Sequence, residues 1–204
     1  WQYERMPKPY HHGALEAALA DTAFEVTRAE GIAALAVRDL ARHLGVSPSA
    51  AYRHFPSRDH LVARVAQRAR ESLAQAMLAA LGEVPNRRDP QRRAIEQLGA
   101  LGRAYVRFAL AEPLLFEAAF VRCDVPPDRA DDPDAWQLLV DAIEAMVTTG
   151  AAPAARRADG AIIAWSGVHG LATILTGSVW PVGMDADREI EAIEKAVIRS
   201  LVNA

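Results

Sequence analysis

From residue 13 to residue 201, apolar side chains recur three and four positions apart. No stretch combines strict alternation with β-branched enrichment. That period confines the chain to helices packed on helices, so an all-α fold of about nine helices is expected. Glycine, proline and serine mark the ends. Gly31 stops a first helix at about 13–29, whose inner side carries Leu15, Ala18, Leu19, Thr22, Ala23 and Val26. Gly45 ends a second at about 37–44. Ser47 caps and Pro48 opens a short third, which Pro56 closes after Phe55. Ser57 caps a long fourth, about 58–81, through Leu61, Val65, Leu73 and Met77. The loop GEVPNRRDP precedes a fifth, about 91–111, which Pro113 breaks before a short apolar helix at 114–120. After the acidic, proline-rich RCDVPPDRADDPD come helices at about 135–148, 154–179 and 187–201. The opening WQYERM, which lacks an initiating Met, reads as a processed end and is left out of the fold.

Apolar residues make up 51% of the 204 positions, enough for a sizeable core. Cys123 is the single cysteine, which excludes an internal disulfide framework and fits a reducing compartment. No uninterrupted apolar run approaches the roughly 18 residues of a membrane span, and no signal-peptide pattern opens the chain. A cytoplasmic protein without a membrane partner is expected. The net charge of −3 hides an asymmetry: residues 1–111 balance at +5 and residues 112–204 at −8. Arginine supplies 21 of the 23 basic residues, which favours forked recognition of phosphates and base edges. The first part can face a polyanion that the second would repel.

Residues 37–55 place two short helices around Gly45, which can take the positive φ of a tight turn. Leu40, Ala41 and Leu44 face the same way as Val46, Ala51 and Phe55, and Ala41 is small where the helices cross. This is a helix-turn-helix pattern, whose second helix enters the major groove of duplex DNA. With Ala51 and Phe55 inward, Ser49, Ala50, Arg53 and His54 are expected to point outward, with Tyr52 at the edge. Arg53 suits a forked pair of hydrogen bonds to guanine, and Arg38 can do the same or hold a phosphate. Ser49, Tyr52 and His54 suit phosphates or base edges, and Ala50 a thymine methyl. The free N–H groups opening the third and fourth helices, with Arg58 beside the latter, suit phosphate. An ordinary helical corner with a solvated polar face is the plain alternative.

The segment ARHLGVSPSAAYRHFPSRDHLV resembles the signature of the TetR family of bacterial transcriptional regulators, with Gly45, Val46, Ser47, Tyr52, His54, Phe55 and Arg58 in the expected places. PKPYHHGALEAALADTAFEVTRAEGIAAL before it resembles the family's first helix, so this likeness covers about residues 8–70. YVRFALAEPLLFEAAF and WSGVHGLATILTG resemble the C-terminal domain of a subgroup with a Trp-His-Gly pattern, here Trp165, His169 and Gly170. The resemblance implies a DNA-binding head (8–56) joined by the long fourth helix to a ligand-binding and dimerisation domain (57–204). It implies a homodimer on a near-palindromic operator and repression relieved by a small-molecule effector. Positions matching Arg38, Ser47, Ser49, Ala50, Tyr52, Arg53, His54 and Arg58 commonly contact DNA in the family. Two departures stand out. Ala36 and Val37 replace the usual capping Ser or Thr of the second helix, and Ser49-Ala50-Ala51 replaces a small-Thr-large run.

In the second part Tyr105, Phe108, Phe116, Phe120, Trp136, Met146 and Trp165 are expected to line an apolar ligand cavity, with His169 as a polar anchor. The same aromatics can equally be core. Gly167 and Gly170, costly inside a long helix, make sense where another backbone approaches closely. With Leu171 and Ile174, and with the stripe Ile190, Ile193, Val197 and Leu201, they are expected to form a four-helix dimer interface. Packing within the subunit is the other possibility. An enzyme is disfavoured: Ser166, His169 and Cys123 lack a positioned base and orienting group, and no phosphate loop or metal-ligand spacing occurs. No cofactor is expected, and the pairs His11-His12 and His54/His60 are not read as a metal site. A helical small-molecule-binding or protein-adaptor module without specific DNA readout is the rival function.

Overall fold

A computed structural model of the chain describes residues 12–125, 134–177 and 185–203. The opening WQYERM, His11, the centre of the acidic loop and Val179 lie outside the described residues. Within them the chain forms α1 (His12–Glu30), a 3-10 turn (Ile32–Ala34), α2 (Val37–His43), α3 (Pro48–His54), α4 (Arg58–Gly82) and α5 (Pro90–Ala111). Then come α6 (Pro113–Ala119), α7 (Ala135–Thr148), α8 (Arg156–Thr176) and α9 (Ala186–Val202). The described residues contain no strand.

Capping chemistry sets the starts. Ser47 accepts from the Ala50 amide, Ser57 from His60, Asp89 from Gln91 and Arg92, Asp134 from Gln137, and Asp185 from Asp187 and Arg188. Ala36, opening α2, offers no side-chain cap. Gly31 and Gly45 take φ of 84° and 67°, a region where a side chain would be strained, so the chain turns sharply after α1 and after α2.

Two apolar cores result. One gathers Leu19, Ala23 and Phe24 of α1, Leu40 and Ala41 of α2, Ala51 of α3 with Phe55 after it, and Leu61 and Val65 of α4. The other is built from α4, α5, α7, α8 and α9 around Leu73, Met77, Leu101, Tyr105, Met146 and Leu201. Helix α4 crosses both, its first half in the head and its second in the body. Helix α6 also belongs to both: Leu115, Ala118 and Ala119 sit in the head core, and Phe116 in the body core. Phe108 of α5 packs against each.

Polar ties fasten the junction. The Arg58 guanidinium donates to the carbonyls of Leu35 at 3.0 Å and Ile32 at 2.7 Å. Arg70 donates to the Ala119 carbonyl at the end of α6 at 3.0 Å, and Arg28 lies 3.3 Å from Glu112. Arg68 pairs with Asp21 and covers the Phe24 ring, 4.5 Å from its centroid.

Among the described residues, helix α8 is the one that bears on the membrane expectation. It is long and apolar enough to cross a membrane by length and composition, because its Gly, Ser, His and Thr residues interrupt the run without making it polar. It packs instead against α5, α7 and α9.

Candidate functional site

Helix α3 is short because Pro48 opens it and Pro56 follows Phe55, where the helical conformation is disfavoured. Ala51 and Phe55, 0% and 5% exposed, anchor it to the head. At 100° per residue, that anchor leaves Ser49 and Arg53 on the opposite side with Tyr52 at its edge, and all three are exposed. Ser47 and Pro48 flank them, also exposed, with the Ser47 and Ser49 hydroxyls 3.1 Å apart. Arg38, in the first turn of α2, is exposed as well. Helix α3 therefore offers one guanidinium fork, two hydroxyls and a phenol on a two-turn rod, the length and width that a major groove admits, and α2 adds a second guanidinium.

Three residues expected to contact DNA make contacts within the head. His54 turns toward α1: its side chain is 14% exposed and its Nδ1 lies 3.8 Å from the Glu16 carboxylate. Positions 50 and 54 are one turn apart, on the flank that α1 covers, so Ala50 is half-buried too and packs against the head core. Arg58 donates from Nε and Nη2 to the Leu35 and Ile32 carbonyls, which braces the head, and the residue stays exposed. Nothing in the local sequence signals these placements, since each depends on where α1 and the 3-10 turn come to rest.

In the body, aromatic rings form one contiguous cluster. Tyr105 meets Phe116 and Trp165 edge-on, at centroid separations of 5.6 Å and 5.2 Å. His169 stacks on Trp165 at 5.9 Å and meets Phe120 edge-on at 4.8 Å. Trp136 extends the cluster outward, 5.6 Å from Trp165 and 41% exposed. The Tyr105 hydroxyl and His169 Nδ1 are 2.7 Å apart. Burial pushes the phenol above its usual range, so it stays protonated and can donate to the imidazole. Burial also lowers the His169 pKa, favouring the neutral ring that such a bond requires.

Met146 does not join the cluster; it is fully buried in the body core. The enclosed cavity beside the cluster, bounded by Leu101, Tyr105, Trp165, Leu171, Ile190 and Val197, measures about 30 Å³. That is the space of about one water molecule, and far below the ~300 Å³ where small-molecule pockets begin.

The residues expected at a dimer interface divide into two groups. Leu171, Ile190 and Leu201 are buried inside their own subunit, and Ile193 and Val197 pack on the same core. Gly167 does mark a close approach, but within the chain: a Cβ there would lie 2.8 Å from a methyl of Val197. Gly170 and Ile174 face the other way. A Cβ on Gly170 would meet nothing within 4 Å, and Ile174 is 46% exposed. Ile162 and Ser166 continue that outward line at four-residue spacing.

Comparison with known proteins agrees with this anatomy. The family described as bacterial regulatory proteins, tetR family, matches residues 19–65, which span α1 to α4. The tetracyclin repressor-like C-terminal domain matches residues 98–199, half of the chain's 204 residues. A solved protein of unknown function from Rhodococcus sp. RHA1 superposes with a TM-score of 0.78 at 27% identity, covering 96% of this chain and 100% of its own. The Streptomyces coelicolor TetR family protein ActR, solved in complex with (S)-DNPA, has a TM-score of 0.56 at 20% identity, over 92% of this chain and 97% of its own, a likeness of fold alone. No curated protein matches. With the head and the larger part of the body each matched in register with the observed helices, the chain belongs to the TetR family of bacterial transcriptional regulators, typically DNA-binding repressors with a ligand-binding C-terminal domain.

Proposed function

We propose that this chain is a cytoplasmic, dimeric repressor that reads a near-palindromic operator with the outward face of α3 and leaves it when a small molecule binds the body. One observation carries the reading: Ser49 and Arg53 lie on the face of α3 opposite the buried pair Ala51 and Phe55, with Tyr52 exposed at its edge. Arg53 reads a base edge in this account, Arg38 a base edge or a phosphate, and Ser47, Ser49 and Tyr52 hold phosphates. His54 and Arg58 keep the head rigid from behind. The charge asymmetry supports the orientation, with the basic part toward DNA and the acidic body away from it.

Dimerisation through α8 and α9 is supported by their outward faces. Ile162, Ser166, Gly170 and Ile174 form a line along α8, and the exposed small residues Ala192, Ala196 and Ser200 form another along α9. Such faces let two copies approach closely around a two-fold axis. Effector release requires the ligand to bind one head arrangement more tightly than another, and α6, seated in both cores, is the element a ligand can use.

Selection from a pool of random duplexes tests the reading. Enrichment of one inverted repeat, with affinity that falls steeply as salt rises, is the expected outcome. Recovery of unrelated sequences bound weakly would favour the protein-adaptor alternative.

A further inference from the structure

The body's inner cavity, at about 30 Å³, is too small for an effector, but a second concavity is not. An open groove of about 540 Å³ runs along the junction, between the 3-10 turn, α6 and α8. Its size falls in the range of small-molecule sites. One wall is Ile32, whose carbonyl is one of the two held by Arg58. Phe120 presents a ring that is 37% exposed, backed by Phe116 and His169.

The polar lining is one-sided. The hydroxyls of Thr173 and Thr176 already donate to the carbonyls of His169 and Ala172, at 2.8 Å and 2.9 Å. Each therefore has only lone pairs left to offer. Glu117 adds an exposed carboxylate, and among the described residues no lysine or arginine lines the groove. Buried among aromatic rings, His169 supplies no positive charge at neutral pH. An anion would meet the Glu117 carboxylate and the threonine lone pairs, offset by a single neutral side-chain donor, the His169 Nε2–H left by the Tyr105 bond, whereas a molecule carrying N–H donors and positive charge would meet complementary groups. Aromatic faces add attraction for such a cation.

We infer that this junction groove is an effector site for a small organic cation, an ammonium on a flat apolar body, with the body against Phe120 and the ammonium toward Glu117 and the threonine oxygens. The inference rests on the proposed effector response and says where it originates. A ligand here touches Ile32 of the head and α6 and α8 of the body at once, so a change in head position changes its contacts directly.

Three probes of matched shape test it on the full chain: 1-naphthylmethylammonium, 1-naphthalenemethanol and 1-naphthylacetate, titrated by calorimetry. The expected order is cation tightest, alcohol roughly three- to tenfold weaker and acetate weakest, the span an exposed carboxylate supports. Glu117→Gln should bring the cation to the level of the alcohol while leaving the alcohol unchanged. Thr173→Phe should fill the groove and weaken both. Equal binding of the three probes, or binding of the cation unaffected by both substitutions, overturns the inference. Duplex selection on the same samples separates the two ideas. A protein that selects an operator but does not discriminate the probes loses only this site. One that discriminates the probes but selects no duplex keeps the site and loses the regulatory reading.

Discussion

Leu115 and Phe116 are neighbours in the chain and are buried in different cores, Leu115 at 1% exposure in the head and Phe116 at 5% in the body. Successive residues on a helix diverge by 100°, which lets a seven-residue helix plug two cores at once. Truncating either side chain should cost roughly 2–5 kcal/mol of stability. The location of the damage should differ. Leu115→Ala should speed amide exchange chiefly in α1 to α3, and Phe116→Ala chiefly in α5 to α8, read by mass spectrometry. Identical exchange patterns from the two variants would show that head and body open as one unit.

The Tyr105–His169 pair gives a pH dependence with a definite sign. Burial lowers the folded-state pKa of His169, so the unfolded chain takes up this proton first as pH falls. Stability from the neutral imidazole is fully present above its unfolded value of about 6.5 and is lost as pH drops through the lower folded value. Thermal melts of the parent chain and of His169→Gln should therefore converge as pH falls below about 6.5. A gap between them that stays constant from neutral to acidic pH contradicts the assignment. Tyr105→Phe should cost about 1–3 kcal/mol, because it leaves the buried imidazole nitrogen without its donor.

Two glycines on α8 make opposite predictions. Gly167→Ala puts a methyl against Val197 and should destabilise the subunit by about 1–3 kcal/mol. Gly170→Ala meets no atom of its own subunit and replaces a poor helix former, so it should stabilise an isolated subunit by up to about 1 kcal/mol. If a second copy covers this face, the same substitution weakens the dimer, which sedimentation equilibrium measures. Dimerisation unchanged by both Gly170→Ala and Ile174→Asp places the interface elsewhere.

The brace behind the reading helix should be separable from the reading itself. Arg58→Met removes donors to two carbonyls and should lower head stability by about 1–2 kcal/mol. His54→Gln removes a group that faces Glu16 and should leave the preferred bases as they are, even where affinity drops. A changed base preference in His54→Gln would return that side chain to the DNA face.

What could be read before any coordinates follows from which signals are local. Ser47, Pro48 and Pro56 act on the backbone within a turn of themselves, and α3 begins and ends where they place it. The stripe Ile190, Ile193, Val197 and Leu201 shows another limit. Periodicity reveals that one face of α9 is apolar, but the covering surface is a matter of tertiary packing. Here Ile190 and Leu201 are buried in the subunit's own body, and Ile193 and Val197 pack against it. Gly167 likewise announced a close neighbour without naming it. The junction groove left no trace in the sequence, because Ile32, Glu117 and Thr173 are brought together only when head, α6 and α8 dock. His54 and Arg58 matched the family pattern, but His54 turns toward Glu16 of α1 and Arg58 ties to the 3-10 turn, partners that lie far off in the chain.

The central claim is that the side of α3 bearing Ser49, Tyr52 and Arg53 reads duplex DNA. Base-by-base selection with the parent chain and with Arg53→Ala addresses it most directly. The account predicts that the variant loses its preference at one symmetry-related pair of positions, about 1–3 kcal/mol of discrimination at each, and keeps the rest of the inverted repeat. Selection of the same bases with the same strength by both proteins would contradict it.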